Sequence, residues 1–250
     1  MAIPILNPYK EGVSLFTDGL DYIIANIPGS PTYSDLSDTI IDYFNSLPDP
    51  PTDGITLIET GMANSVNDYV NSKIAQNQNF GGAEWAMVDA VLCGIKEQSI
   101  DSTGDFLDAC MEQLTQSDIN TISKTSIYAA IGLAKASDAY WKAIVTTPGG
   151  WATYINSNAA INYANIPFWT TATFAGTFSG FAQVQAPNMG EANVWNTDGR
   201  KFASVIALGS ALVLTAGKVI FKWAQRPVVG NFPSVDSMLK GGGGCGCNNF

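Results

Sequence analysis

The sequence predicts a mainly α-helical fold: a helical bundle, then an uncharged region rich in aromatic residues, then a hydrophobic helix. Apolar side chains recur at three- and four-residue spacings through most of residues 13–145, which is the period of an amphipathic helix. Prolines and glycines interrupt this pattern where helices are predicted to end. In addition, 46% of the 250 residues are hydrophobic and only 14% are charged, whereas a disordered chain has few apolar groups and many charges.

The charges divide the chain into regions of opposite sign. Residues 1–120 contain 18 acidic and 3 basic side chains, and residues 121–250 contain 4 acidic and 9 basic ones. We therefore predict an acidic helical bundle over residues 1–147, an uncharged and apolar region over 148–226, and a flexible glycine- and cysteine-containing tail over 227–250. The opposite signs indicate either an interaction surface on one region or mutual attraction within one fold.

Three helices are predicted in the first third of the chain. In residues 1–31 an extended entry precedes a short helix, which the sequence IPGSP ends. A second helix covers residues 33–47, with Ser34 or Asp35 as its N-cap. The proline-rich stretch 48–54 separates it from a third helix over residues 55–74.

The middle of the chain predicts three more helices. Residues 83–97 are apolar almost all round, which is typical of the central helix of a bundle. The sequence from Ser102 to Asp105 matches a capping box and predicts a helix through Leu114. Ser117 or Asp118 starts a long helix to about Val145, and the sequence PGG at 148–150 ends it.

Residues 151–187 are ambiguous between strand and helix. Their many Thr, Tyr, Phe and Asn residues favour strands or irregular structure. Phe174, Phe178 and Phe181, however, have helical spacing, and Gly176 and Gly180 form a GxxxG pattern. GxxxG lets two helix backbones approach closely, either in a dimer or inside a core. The segment lies within 48 consecutive uncharged residues, 143–190.

The hydrophobic helix is predicted over residues 202–223. Its uncharged core of 16 residues would be about 24 Å long, and snorkelling by Lys218 would extend it towards a membrane span. Basic residues flank this core, and cations are attracted to anionic lipid. The alternative is a buried helix in a soluble bundle. In the membrane interpretation the lipid-contacting residues are Arg200, Lys201, Phe202, Val205, Leu208, Leu212, Lys218, Ile220, Lys222, Trp223 and Arg226.

The same segment is predicted to pair with residues 168–184. Together they would form a helical hairpin joined by the polar loop 187–198. In the alternative interpretation both segments fill the core of one domain.

The sequence predicts no enzymatic activity and no cofactor or metal. The chain has no histidine, which excludes Ser-His or Cys-His nucleophiles and His-ligated metal sites. It also lacks nucleotide-binding, phosphate-loop, nucleophile-elbow and metalloprotease motifs. The net charge of −10 disfavours nucleic-acid binding.

The four cysteines form two pairs in the sequence. Cys93 and Cys110 lie on consecutive predicted helices, and we expect free buried thiols there rather than a disulfide, which requires Cα atoms within about 7 Å. Cys245 and Cys247 lie in the glycine tail, where they are either modified or incidental.

Two segments resemble bacterial secreted proteins. Residues 238–247, MLKGGGGCGC, resemble a double-glycine leader junction, which implies cleavage after Gly241-Gly242 by a dedicated export peptidase. The segment IYAAIGLAKASDAYW, from Ile127 to Trp141, with the Gly- and Ala-rich apolar half that follows it, resembles uncharacterised secreted or bacteriocin-like proteins. That resemblance implies a non-catalytic, membrane-active role. The N-terminal sequence has no basic and apolar signal-peptide pattern, so we expect a membrane-associated protein or one secreted by another route.

The leading functional hypothesis is therefore a non-enzymatic, bacteriocin-like protein whose basic-flanked apolar helix inserts into an anionic bilayer. Its partners would be the lipid bilayer or further copies of itself. One alternative is a structural or assembly subunit of a virion or appendage, because uncharged aromatic surfaces suit subunit contacts. The other is a precursor whose C-terminal peptide, with Cys245 and Cys247, is modified or released.

Overall fold

All regular structure in the described part of the chain is helical. The computed structural model describes residues 10–48, 82–185 and 197–222. These residues form seven α-helices, which confirms the mainly α fold. The helices are α1 (Lys10–Asn26), α2 (Tyr33–Asn45), α3 (Gly82–Glu97), α4 (Thr103–Gln116), α5 (Thr121–Thr146), α6 (Ala159–Gln185) and α7 (Thr197–Ile220), with short 3-10 helices at Ile100–Ser102 and Gly149–Thr153. The helix predicted over residues 55–74 lies outside the described residues.

The start of α2 corrects the predicted N-cap. Thr32, and not Ser34 or Asp35, is the capping residue. Its Oγ1 accepts a hydrogen bond from the Asp35 backbone N–H at 3.3 Å, and the Asp35 carboxylate accepts one from the Thr32 N–H at 2.6 Å. The pair is thus a capping box that satisfies two backbone donors reciprocally.

The starts of α4 and α5 also differ from prediction. Ser102 belongs to the preceding 3-10 helix and has helical backbone angles, so its side chain makes no cap and instead bonds to the Ser99 carbonyl at 3.0 Å. An N-cap normally has an extended backbone, which explains why the predicted capping box does not form. Asn120, rather than Ser117 or Asp118, caps α5 by accepting from the Ser123 N–H at 2.9 Å.

Helix α6 occupies the centre of the described bundle. It packs along α5 and α7 and also touches α3, and every residue with a described side chain from Trp169 to Phe181 is buried. The ambiguous stretch 151–187 is therefore mainly helical. Within the described part of the chain, the central place predicted for residues 83–97 belongs to α6, since α3 packs against α4, α5 and α6 at one side.

The interior crosses the predicted boundary between residues 147 and 148. One buried cluster combines α1, α2, α5, α6 and α7, and it extends from Phe16 to Val219. A second cluster joins α3 and α4 to the other side of α5 and α6, and it includes Met87, Leu107, Ile131 and Phe174. The acidic N-terminal helices and the apolar C-terminal helices therefore share one interior.

Candidate functional site

The predicted lipid-contacting residues fall into three groups in the structure. Leu208 and Leu212 are buried, at 5% and 0% exposure, and Ile220 is partly buried. Lys218 is partly exposed and Lys222 is exposed. The remaining predicted residues are not described at the side-chain level or lie outside the described residues: Arg200, Lys201, Phe202, Val205, Trp223 and Arg226.

The two basic flanks of α7 lie at opposite ends of that helix. Arg200 and Lys201 are in its first turns, and Lys218 is in its last turn. At 1.5 Å per residue, about 25 Å of helix separates these flanks. They are therefore not one continuous basic patch in this conformation.

Helices α6 and α7 form an antiparallel hairpin held by a seam of small residues. A Cβ placed on Gly176 would lie 2.8 Å from Ala211 Cα, and one placed on Gly180 would lie 2.4 Å from Ala207 Cα. Because the later residue of α6 meets the earlier residue of α7, the helices run in opposite directions. The two segments predicted to pair therefore do so, and in the described conformation both fill the core, as the alternative interpretation expected. The GxxxG pattern makes an intramolecular contact.

Buried hydroxyl groups join α6 to both of its long neighbours. Thr173 Oγ1 donates to Ser137 Oγ of α5 at 2.7 Å, and it lies 2.7 Å from Thr215 Oγ1 of α7. All three residues are fully buried. Since a buried hydroxyl without a partner is costly, this junction favours one register of the three helices.

Helices α1 and α2 cover α7. Their buried residues pack on the inside, whereas Asp18, Asp21, Asp38 and Asp42 are exposed on the outside. Helix α1 approaches α7 closely at Gly19, where an added Cβ would lie 2.8 Å from Leu212 Cδ1. An acidic outer surface and an apolar inner surface are thus combined in one helical layer.

An aromatic cluster packs between α5, α6 and the 3-10 helix that follows α5. The Trp141 ring centroid lies 5.0 Å from that of Trp151 and 4.8 Å from that of Trp169. The Trp151 Nε1–H donates to the Tyr140 hydroxyl at 2.8 Å, and that hydroxyl donates to Asp21 of α1 at 2.7 Å. Burial, reinforced by the bond to Asp21, raises the pKa of Tyr140, so this hydroxyl remains a donor at neutral pH.

Asp138 is a buried carboxylate on α5. Lys142 Nζ donates to its Oδ2 at 2.6 Å, while Oδ1 is buried without a described partner. Burial raises the pKa of Asp138, and the hydrogen bond and charge of Lys142 oppose that shift only in part.

We predict that Asp138 makes stability fall with rising pH. A raised folded-state pKa means that the folded protein binds more protons than the unfolded chain, so this contribution is present below about pH 4, the ordinary Asp value, and is lost as pH rises through the folded pKa. Urea unfolding of wild type and Asp138→Asn across pH 3–7 measures it. The stability of wild type relative to the variant should decrease as pH rises, and a pH-independent difference would contradict the assignment.

Cys93 and Cys110 are joined by a disulfide, so the expectation of free thiols is wrong. The bond links α3 to α4, and Cys110 lies in the buried cluster that these helices share. The 3-10 turn at Ile100–Ser102 reverses the chain between the helices, which brings the two sulfur atoms together. Sequence spacing alone does not reveal this proximity.

We predict that removing the disulfide lowers the free energy of unfolding by about 3 kcal/mol, the value for a cross-link closing a loop of this size. The double variant Cys93→Ala/Cys110→Ala, compared with wild type in urea, measures the loss. Alkylation of the unfolded wild-type protein before and after reduction is the control, since these two thiols should react only after reduction. Labelling without reductant would contradict the bond.

One cationic and aromatic group was missed by sequence reasoning. Lys96 Nζ of α3 and Lys218 Nζ of α7 lie 5.8 and 5.7 Å from the ring centroid of Phe168 on α6. The ring itself is 41% exposed. No local pattern could have shown this group, because its members come from three helices that are distant in the chain.

The described residues offer no metal centre and no membrane-spanning helix. Among them, no three or more acidic or cysteine side chains are grouped so that they could hold a metal ion. In the same ranges, no helix has both the length and the apolar character needed to cross a bilayer. The predicted sites at Gly241-Gly242, Cys245 and Cys247 lie outside the described residues.

Comparison with protein families, with curated proteins and with solved structures gives no match.

Proposed function

We propose that this chain is a non-enzymatic bacterial protein that associates with anionic membranes, and that the α6–α7 hairpin is its lipid-directed element. The observation that carries the proposal is an apolar hairpin with a tight small-residue seam, enclosed by helices with acidic outer faces. Contacts between small residues hold helices together in lipid as well as in water. The hairpin can thus remain a unit when its surroundings change from protein to lipid.

Lipid contact by the hairpin requires the covering helices to move. Leu208 and Leu212 are enclosed in the described conformation, so they reach lipid only when α1 and α2 separate from α7. The hairpin would then associate with the headgroup region, where an apolar helix face lies along the membrane plane. This association does not require a transmembrane span.

The disulfide supports a location outside the cytoplasm. Disulfides persist mainly in oxidising compartments and are rare in reducing ones, and Cys93 and Cys110 are bonded. This agrees with the proposed secretion of the chain and with action on a membrane from outside the producing cell.

Vesicle binding tests the proposal. We expect the protein to co-sediment with phosphatidylglycerol vesicles at low salt, less with phosphatidylcholine vesicles, and to release trapped dye. Hydrogen exchange on the vesicles should show α1 and α2 losing protection while the facing amides of α6 and α7 keep it. Absence of both sedimentation and dye release would reject the function.

A pair of tyrosine variants tests whether opening is required. Tyr43→Phe removes the bond from the Tyr43 hydroxyl to the Leu15 carbonyl, 2.6 Å long, that ties α2 to α1. Without this bond the closed arrangement of α1 and α2 is less stable by about 1 kcal/mol, so vesicle association should be roughly five-fold faster. Tyr163→Phe removes a tyrosine hydroxyl from α6 instead of from the covering helices and is the matched control. Equal rates for the two variants would reject opening of α1 and α2 as the limiting step.

A second candidate is a structural or assembly subunit. Ile161 and Phe168, the large exposed hydrophobic side chains of the described residues, are seven positions apart on α6 and therefore share a face. Such a face suits contact between copies of the chain. Size-exclusion chromatography with light scattering distinguishes the candidates, because a large closed oligomer without lipid affinity would favour assembly.

A further inference from the structure

Two lysines and an exposed aromatic ring meet at one end of the hairpin. Lys96 lies in the last turn of α3, and Lys218 lies in the last turn of α7. Both ammonium groups lie within 6 Å of the Phe168 ring centroid, so both lysines contact the same ring. We call these three residues the Lys96–Phe168–Lys218 group.

Helix and ring electrostatics together account for the positions of both lysines. A cation in the last turn of a helix interacts favourably with the helix dipole, and a cation over an aromatic face is attracted to the ring. Both attractions apply to Lys96 and to Lys218. Neither attraction explains why the large apolar side chain of Phe168 remains 41% exposed beside two cations.

We propose that the Lys96–Phe168–Lys218 group binds the headgroup phosphate of an anionic phospholipid. Lysine is a compact point charge that suits phosphate oxygens, and aromatic rings favour the boundary between headgroups and acyl chains. Lys222, four residues after Lys218 and just beyond the end of α7, is exposed and adds positive charge. The exposed ring favours a lipid over a soluble phosphate, because only a lipid offers it an apolar environment.

The charge distribution sets the orientation of docking. The exposed aspartates of α1 and α2 would be repelled by an anionic surface, on a chain whose net charge is −10. The Lys96–Phe168–Lys218 group is therefore the part of the described surface that faces the membrane first. This inference rests on the proposed membrane association and names the residues that begin it.

Paired lysine variants of the full chain test the group. Lys96→Ala/Lys218→Ala should lower the partition coefficient to phosphatidylglycerol vesicles about thirty-fold, the effect of two surface cations. The control is Lys124→Ala/Lys135→Ala, which makes the same charge change on the α4–α5 face, where Lys135 pairs with Asp108 and Lys124 donates to the Thr115 carbonyl. Equal losses in the two double variants would overturn the group, since net charge alone would then account for binding.

The aromatic contribution has its own variant. Phe168→Ala should weaken vesicle binding about ten-fold, since burial of this ring in the interface is lost. Circular dichroism melting verifies that each variant is folded. An unchanged partition coefficient would overturn the role of the ring.

Two further measurements identify the ligand and distinguish failure of this inference from failure of the proposed function. Soluble glycerol phosphate at constant ionic strength should not displace the vesicle-bound protein, and displacement would reassign the group to a free phosphate. If the lysine variant binds vesicles as well as wild type does, the inference is overturned and the proposed function still stands. Wild type that binds no vesicles overturns both.

Discussion

Gly180→Ala is expected to lower the free energy of unfolding by about 3 kcal/mol, at the upper end of the range for overpacking a core. The new Cβ would lie 2.4 Å from Ala207 Cα and 2.8 Å from the Ile206 carbonyl oxygen. Those atoms belong to the backbone of α7 and cannot turn aside as a side chain can. The two helices must therefore separate along the whole seam, which also disturbs the hydroxyl junction at Thr173. Urea unfolding followed by circular dichroism measures the loss.

Gly132→Ala is the matched control within a helix. A Cβ on Gly132 of α5 would meet only the flexible end of Met111, at 3.7 Å. Without a clash, alanine favours a helix over glycine by about 0.5–1 kcal/mol, so this variant should be slightly more stable than wild type. If Gly180→Ala were also stabilised, the α6–α7 contact would not exist as described.

The α6–α7 contact could be predicted from the sequence, but the helical state of α6 could not. The GxxxG spacing and the long apolar segment predicted two helices in close contact, and both are present. The β-propensity of the Thr-rich segment left α6 ambiguous. Burial overrides that propensity here because the Thr171 and Thr177 hydroxyls each donate to the carbonyl four residues earlier and the Thr173 hydroxyl donates to Ser137, so these polar groups are satisfied inside the bundle.

Three features that the sequence did not reveal depend on tertiary proximity, unlike the local N-cap corrections at Thr32 and Asn120. The Cys93–Cys110 bond needs the turn between α3 and α4, and the Lys96–Phe168–Lys218 group needs three helices to meet. The same holds for the enclosure of Leu212, because an apolar helix has the same composition whether protein or lipid covers it. The lipid-contact assignment of that helix stays a prediction, and it now requires the opening step.

Trp141→Ala is expected to lower the free energy of unfolding by about 3–5 kcal/mol, as for other large buried aromatics. The side chain is fully buried, and it contacts the rings of Trp151 and Trp169, with Tyr140 next to it in the chain. Its removal leaves a cavity where α5, α6 and the 3-10 helix meet, and these elements cannot collapse into it without breaking other contacts. Urea unfolding monitored by circular dichroism and by the fluorescence of the remaining tryptophans measures the change.

Two phenylalanine variants separate packing from hydrogen bonding in the same cluster. The Trp141 Nε1–H is buried without a described partner, so Trp141→Phe loses volume but also removes an unsatisfied donor. Trp151→Phe instead breaks the 2.8 Å bond to the Tyr140 hydroxyl, and should therefore cost about 1 kcal/mol more than Trp141→Phe. A Trp141→Ala variant no less stable than Trp141→Phe would show that the cluster is loosely packed. In that case the junction of α1 and α5 would depend on the Tyr140–Asp21 bond instead.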